Sequence, residues 1–195
     1  MSCARLPEGQ DRIPHDREVQ NVQTFATSGA AVSLLKQIRR ILDDAFAGEF
    51  SDDDWEHTLG GLHVVVMESD TPLAHAAVVA RTLEVDGRPL RTGYVEGVAT
   101  VANRHGEGLG SLAMSQAMHV LRAEFELGAL STSRHGFYER LGWERWRGPT
   151  FVRHGRELVR SEGEDEGVMV LRFGHSLQLD LDAPISCEAR TGDDW

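Results

Sequence analysis

Cysteine is scarce in this chain: two residues, Cys3 and Cys187, stand near opposite ends of 195. A secreted disulfide scaffold uses more of them at closer spacings, so that framework is excluded. No CxxC or HExxH pairing occurs and the nine histidines are scattered, so no metal site is expected. Lysine is scarcer still. Lys36 stands alone and the other nineteen bases are arginines, a bias we read as genomic. Acids outnumber bases 31 to 20, for a formal charge of -11. Phosphate contacts need clustered Lys and Arg, so general nucleic-acid binding is disfavoured. An anionic membrane surface would repel the chain for the same reason. Long apolar runs are missing too. Residues 74–80, interrupted by His75, are among the longest and fall far short of the roughly 20 that span a bilayer. The first twenty residues carry charges throughout without an apolar core, so they are not a secretory signal, and a cytoplasmic location is expected.

What remains is an ordinary globular composition, 41% hydrophobic and 26% charged, of a length for one domain. Residues 1–27 mix Pro, Gly, Gln and both charges without periodicity and read as a flexible leader to a single domain at 28–195. Leu34, Leu35, Ile38, Ile41, Leu42 and Ala45 recur at helical spacing, with Gly48 as a stop. Ser51 followed by Asp52, Asp53 and Asp54 reads as an N-cap opening a short helix that ends at Gly60-Gly61. Strands are expected at 63–67, 73–85 and 90–101, the last two joined by the hairpin signal Asp86-Gly87. A helix at 109–125 closed by Gly128, a strand at 129–133, a short helix at 135–141 and a strand at 168–173 follow. The tail from Gly174 onward carries no clear pattern. This order gives an α/β domain whose mixed sheet has antiparallel hairpins before one crossover.

One loop stands out. Residues 98–111 run strand, loop, helix, and place Gly106, Gly108 and Gly110 within five positions. Glycines let the backbone approach a ligand closely, and a helix start adds free amides and partial positive charge, which together suit a pyrophosphate. Pattern alone also allows a helix that merely begins after a flexible loop. The segment lacks the Lys-Ser/Thr of a P-loop and the usual Rossmann spacing, which disfavours a nucleoside triphosphate or NAD.

Negative charge is concentrated. Seven carboxylates and no base lie between Ile41 and His57; nine acids and two arginines lie between Ser161 and Trp195. Such clusters are either solvated surface and helix caps, or a rim that orients a polycation. Glu96 sits among apolar neighbours on the strand entering the loop, facing either solvent or a cleft. Tyr138, in Phe137-Tyr138, suits core packing; Ser131 suits a turn cap and Trp55 suits the core.

HGEGLGS at 105–111, opening a helix between two strands, resembles the coenzyme A motif of the GNAT N-acetyltransferase superfamily; its first position, Arg or Gln there, is His105 here, beside Arg104. AFAGEF at 45–50, DWEHTLGG at 54–61, GYVEGVA at 93–99, LGALS at 127–131, GW at 142–143, GPT at 148–150 and TGDDW at 191–195 resemble the aminoglycoside 2′-N-acetyltransferases of the mycobacterial type. These blocks run from about residue 30 to the end. Glu49 stands where that family often has Asp, and the stretch between Ser133 and Tyr138 is shorter.

The resemblance implies a GNAT-like, largely antiparallel central sheet flanked by helices, acetyl-CoA as cosubstrate without a metal, and a homodimer. It implies acetyl-CoA contacts at Val98, Ala99, Thr100, His105, Gly106, Glu107, Gly108, Leu109, Gly110 and Ser111. It places aminoglycoside contacts at Glu49, Asp54, Glu96, Gly97, Ser131, Asp165, Asp193 and Trp195. Acetyl transfer to an amine needs a bound thioester, a recognised amine, a base and an acid for the thiolate. In the implied scheme Glu96 takes the proton through a water, Tyr138 is the general acid, and the Val98 amide polarises the thioester carbonyl. No cysteine lies near the loop as an acyl carrier, so direct transfer in a ternary complex is expected. Another cellular amine as acceptor, or a non-catalytic acetyl-CoA-binding regulator, are the competing readings.

Overall fold

The computed structural model describes residues 20–195. Most of the leader therefore lies outside the described residues, Cys3 with it. Its end is not a loose segment: Asn21–Ala26 forms strand β1, paired antiparallel with β2 (Leu62–Glu68). Strand β2 continues antiparallel into β3 (Thr71–Val85), and β3 into β4 (Arg88–Thr100) across the expected hairpin. Helices α1 (Val32–Ala45) and α2 (Asp52–Thr58) precede them. Ser51 caps α2 as predicted: its Oγ accepts from the Asp54 amide at 3.0 Å, and Asp54 Oδ2 accepts from the Ser51 amide at 2.8 Å.

The crossover is α3 (Leu109–Glu124), leading to β5 (Leu127–Ser131), which lies parallel to β4. Gly128 is inside β5 rather than at the helix end, because α3 stops where Phe125 turns extended. A Cβ on Gly128 would lie 3.0 Å from Leu121, so close helix–strand packing needs glycine there. Helix α4 (His135–Glu139) follows, then β6 (Glu144–Arg145), β7 (Thr150–His154), β8 (Glu157–Arg160), β9 (Val168–Arg172) and β10 (Ile185–Glu188). The ten strands of the described residues form one sheet, with β4–β5 and β7–β10 its parallel neighbours and the rest antiparallel. This is the expected mixed, largely antiparallel α/β sheet flanked by helices. The stretch 144–160 and the patternless tail contribute four strands that short, polar sequence did not announce.

Strand alternation decides which helix covers which face. Val64 and Val66 join Ala113, Met114, Ala117 and Leu121 of α3, while Val65 and Met67 join Ile38, Ile41 and Leu42 of α1. A third cluster buries Trp195, the last residue, beside Val152, Ile185 and Cys187. Among the described residues no helix is long and apolar enough to cross a membrane, and no group of metal-ligating side chains gathers.

Candidate active site

Strands β4 and β5 pair only from Thr92 opposite Leu127 to Tyr94 opposite Ala129. Beyond that they part, and a cleft of about 1420 Å3 opens between Val95–Thr100 on one side and Leu130–Arg134 on the other. Pockets for one small ligand measure roughly 300–1,000 Å3, so this one has room for two. The parting coincides with an irregularity in β4. Ala77 faces Glu96 and His75 faces Ala99, so Gly97 and Val98 together oppose Ala76 alone. Two residues against one is a β-bulge, which leaves backbone groups outside the ladder. Gly97 makes it possible with φ +55°, and a Cβ there would stand 3.0 Å from Thr58.

The loop after β4 forms an anion cradle. Gly106 and Gly108 both take positive φ, and space beside them is open. Gly108 is the N-cap of α3; Leu112 is the first amide of that turn to reach an internal acceptor, the Gly108 carbonyl at 2.9 Å. The amides before it in any helix lack such partners, and the helix dipole adds to their pull on an anion. Gly106, Gly108, Leu109, Gly110 and Ser111 line the cleft, with Val98, Ala99, Thr100 and His105. The predicted contact Glu107 does not: its Oε1 accepts from Arg104 Nε at 2.7 Å. Arg104 also holds Glu68 through both Nη atoms, at 2.9 and 3.1 Å, bracing the loop. His105, in the motif's Arg/Gln position, shares a 3.1 Å hydrogen bond with the Thr100 carbonyl. Arg134 and Arg140, flanking α4, bring further positive charge into the cleft. A phosphate-bearing cofactor fits this end.

Carboxylates gather at the other. Asp54, Glu96, Glu166 and Asp193 line the cleft, alongside Gly97, Ser131 and Trp195. Glu96 is largely buried, and that burial raises its pKa against the opposing pull of Arg190. Arg190 Nη1 donates to Glu96 Oε1 at 2.6 Å, and Arg190 Nε to the Asp193 carbonyl at 2.6 Å. Trp195 anchors the tail, its ring 4% exposed and its indole N–H 3.2 Å from Ser161 Oγ.

Two predicted acceptor contacts lie elsewhere. Glu49 stands on the exposed turn between α1 and α2 and does not line the cleft; its neighbours Phe46 and Phe50 do. Asp165 is likewise outside it. Its carboxylate is consumed by a two-pronged pair with Arg160 and by the Thr150 amide at 3.0 Å and hydroxyl at 2.9 Å, which hold its pKa down to about 2. The acid of this turn that lines the cleft is Glu166, while Glu164 stands behind Ser131 and accepts from its Oγ at 3.2 Å. Burial raises the Glu164 pKa, and nearby Asp193 adds to that. Sequence reading also passed over Arg190, although it is one of only two bases in the acidic tail.

Tyr138 joins both uses the sequence left open. Its ring is 7% exposed and packs edge-on to Phe137 and Trp143, yet it also lines the cleft. Burial pushes its pKa up to about 12, with Arg134 pulling the other way, so it holds its proton at any working pH. Cys187 lies off the cleft, buried and donating to the Asp194 carbonyl at 3.3 Å, its thiol pushed up to about 11 by burial.

An anion cradle at a helix start, beside a bulged strand and a splayed parallel neighbour, is the geometry to set against known proteins. The sequence profile of the acetyltransferase (GNAT) domain matches residues 29–146. This chain belongs to the GNAT acetyltransferase family. An aminoglycoside 2′-N-acetyltransferase from Mycolicibacterium fortuitum is 44% identical over 161 residues, 80% of this chain and 83% of that one. The GNAT fold recurs in an Escherichia coli family member solved with CoA, with a TM-score of 0.62 and 15% identity over 86% of this chain and 89% of that one. It recurs in a Brucella melitensis family member solved with acetyl-CoA, at 0.57 and 18% over 80% and 90%. In a longer probable N-acyltransferase from Enterococcus faecalis, the chain spans 33% of the length, at 0.56 and 16%.

Proposed function

We propose that this acetyltransferase moves the acetyl group of acetyl-CoA to the 2′-amine of aminoglycosides by direct transfer within a ternary complex, and so confers resistance to them. One observation carries the reading: a single cleft holds the α3 amide cradle, the Val98 bulge, Tyr138 and the carboxylates Glu96, Asp54 and Asp193. The cradle and Gly106–Ser111 loop suit the pyrophosphate of acetyl-CoA, which supplies the thioester. The carboxylates suit a multiply protonated acceptor. Glu96, its pKa raised by burial, takes the ammonium proton through a water. Tyr138, neutral and apolar-walled, delivers a proton to the departing thiolate. The kinship with the M. fortuitum enzyme supports the acceptor class.

The same reading places the enzyme in the cytoplasm, where its thioester donor is made, as a homodimer. Edge strand β8 supports the second point, with Leu158 and Val159 exposed on it.

The test is release of coenzyme A thiol with tobramycin against a no-acceptor control. Acceptors bearing a 2′-amine are expected to turn over, and those with a 2′-hydroxyl, such as amikacin, to be poor, because a neutral amine is far the better nucleophile. Efficient acetylation of amikacin, or of another amine, would overturn the assignment.

A further inference from the structure

Two histidines that no step above uses are buried directly behind the bulge. His63 on β2 and His75 on β3 are both 0% exposed, with ring centroids 5.2 Å apart. They form a continuous hydrogen-bonded row: Thr27 Oγ1 to His63 Nε2 at 2.9 Å, His63 Nδ1 to His75 Nε2 at 2.9 Å, and His75 Nδ1 to the Gly97 carbonyl at 2.7 Å. Burial holds both imidazoles neutral, with pKa values pushed down to about 4 for His63 and about 3 for His75.

The direction of every proton follows from the last link. A carbonyl only accepts, so His75 Nδ1 carries the hydrogen and its Nε2 is an acceptor. His63 Nδ1 must then donate and His63 Nε2 accept, which leaves the Thr27 hydroxyl as donor. Thr27 Oγ1 in turn accepts from the Gly60 amide at 3.1 Å. The whole row therefore donates toward Gly97. Chains of hydrogen bonds pointing one way polarise one another.

What this does depends on one covalent fact. The Gly97 carbonyl and the Val98 N–H belong to the same planar, trans peptide and point oppositely from it. A donor fixed on the carbonyl sets the plane, and drawing electron density to that oxygen makes the N–H a stronger donor. Neither Gly97 nor Val98 has a register partner on β3, and Val98 lines the cleft.

We propose that the His63–His75 pair is a positioning relay for acetyl transfer, which orients and polarises the Val98 amide through the Gly97 carbonyl. This rests on the acetyl-transfer reading, in which that amide receives the charge developing on the thioester oxygen.

His75→Leu deletes the donor, and His75→Asn keeps a nitrogen near the Nδ1 position. Direct removal of such a donor costs about 10²–10³ in kcat, so weakening it from behind is expected to cost about tenfold. The KM values for acetyl-CoA and tobramycin should stay within about twofold, since the gain arises only in the transition state. His75→Asn should recover most of the loss. Thr27→Val, at the half-buried end of the row, gives a milder loss of the same kind and serves if His75→Leu does not fold. Independently of turnover, the Val98 amide proton resonance should move upfield in the folded variants. Unchanged kcat with an unmoved Val98 resonance in a folded His75→Leu or Thr27→Val variant overturns the relay. Absence of thiol release by the wild-type chain overturns the functional reading instead, and the resonance still decides the relay.

Discussion

Arg190 Nη1 donates to Glu96 Oε1 at 2.6 Å, tying the last turn of the chain to the strand that lines the cleft. Both side chains are about 15% exposed, so the pair is little screened. Burial raises the Glu96 pKa; Arg190 and Arg81 lower it again, while Asp193 adds to the rise. Losing Arg190 leaves burial and Asp193 less opposed. Arg190→Gln should therefore shift the acidic limb of the kcat/KM profile upward, while Arg190→Lys holds it near the wild-type position. A pH–rate profile checks this. An unmoved limb in Arg190→Gln would mean that Glu96 does not set it.

Tyr138 invites a simpler test. With its pKa near 12 it is a proton donor across the working range, so it should leave no limb in the profile. Tyr138→Phe keeps the edge-on packing against Trp143 and removes only the hydroxyl. A general acid contributes typically 10²–10⁴-fold, and a loss of that order in kcat with little change in acetyl-CoA binding is expected. Wild-type kcat in the variant would remove Tyr138 from the chemistry.

Salt separates a functional rim from ordinary surface. Carboxylates at Asp54, Glu96, Glu166 and Asp193 share the cleft, and long-range attraction to a polycation is screened over about 8–10 Å at physiological ionic strength. Raising salt should increase the KM for tobramycin more than it lowers kcat. A KM flat from low to high salt would show that these acids are merely solvated.

Much of this site was legible before any coordinates. The glycine loop announced the α3 cradle, because the motif is local and needs only its own backbone. Ser51 announced its capping box for the same reason. Glu49 and Asp165 stand off the cleft because a carboxylate's neighbours, not its presence, decide where it points: Arg160 and Thr150 hold Asp165 through contacts that no local pattern reveals. Arg190, Glu164 and the His63–His75 row escaped because each finds its partners only when distant segments meet. β8 and β10 escaped because strands of four residues carry too little alternation to read.

The histidine row makes stability fall in acid. A histidine whose folded pKa lies below its unfolded value near 6.5 binds its proton more readily when unfolded. Stability is therefore fully present above about pH 6.5 and is lost as pH falls toward about 4 for His63 and about 3 for His75. Each histidine contributes a slope of at most about 1.4 kcal/mol per pH unit in that window. Urea unfolding at pH 7 and pH 5 should show a clear loss in the wild type, and a smaller one in a folded His63→Phe variant. Equal losses in the two would mean that other groups govern the acid limb.

The chain end gives the last test. Trp195 is buried among Val152, Ile185 and Cys187, so removing residues 193–195 would cost about 3–5 kcal/mol in packing as well as any contact with the acceptor. Point changes separate the two. Asp193 is exposed at the cleft, its backbone carbonyl held by Arg190 Nε and its carboxylate 3.3 Å from the Trp195 amide. Asp193→Asn keeps this turn and removes a charge. A charge-assisted hydrogen bond is worth roughly 1.5–3 kcal/mol, so the KM for tobramycin should rise about ten- to a hundredfold while coenzyme A binding and the melting temperature hold. If Asp193→Asn acetylates tobramycin with wild-type kinetics, this tail holds the fold together but Asp193 takes no part in recognising the acceptor.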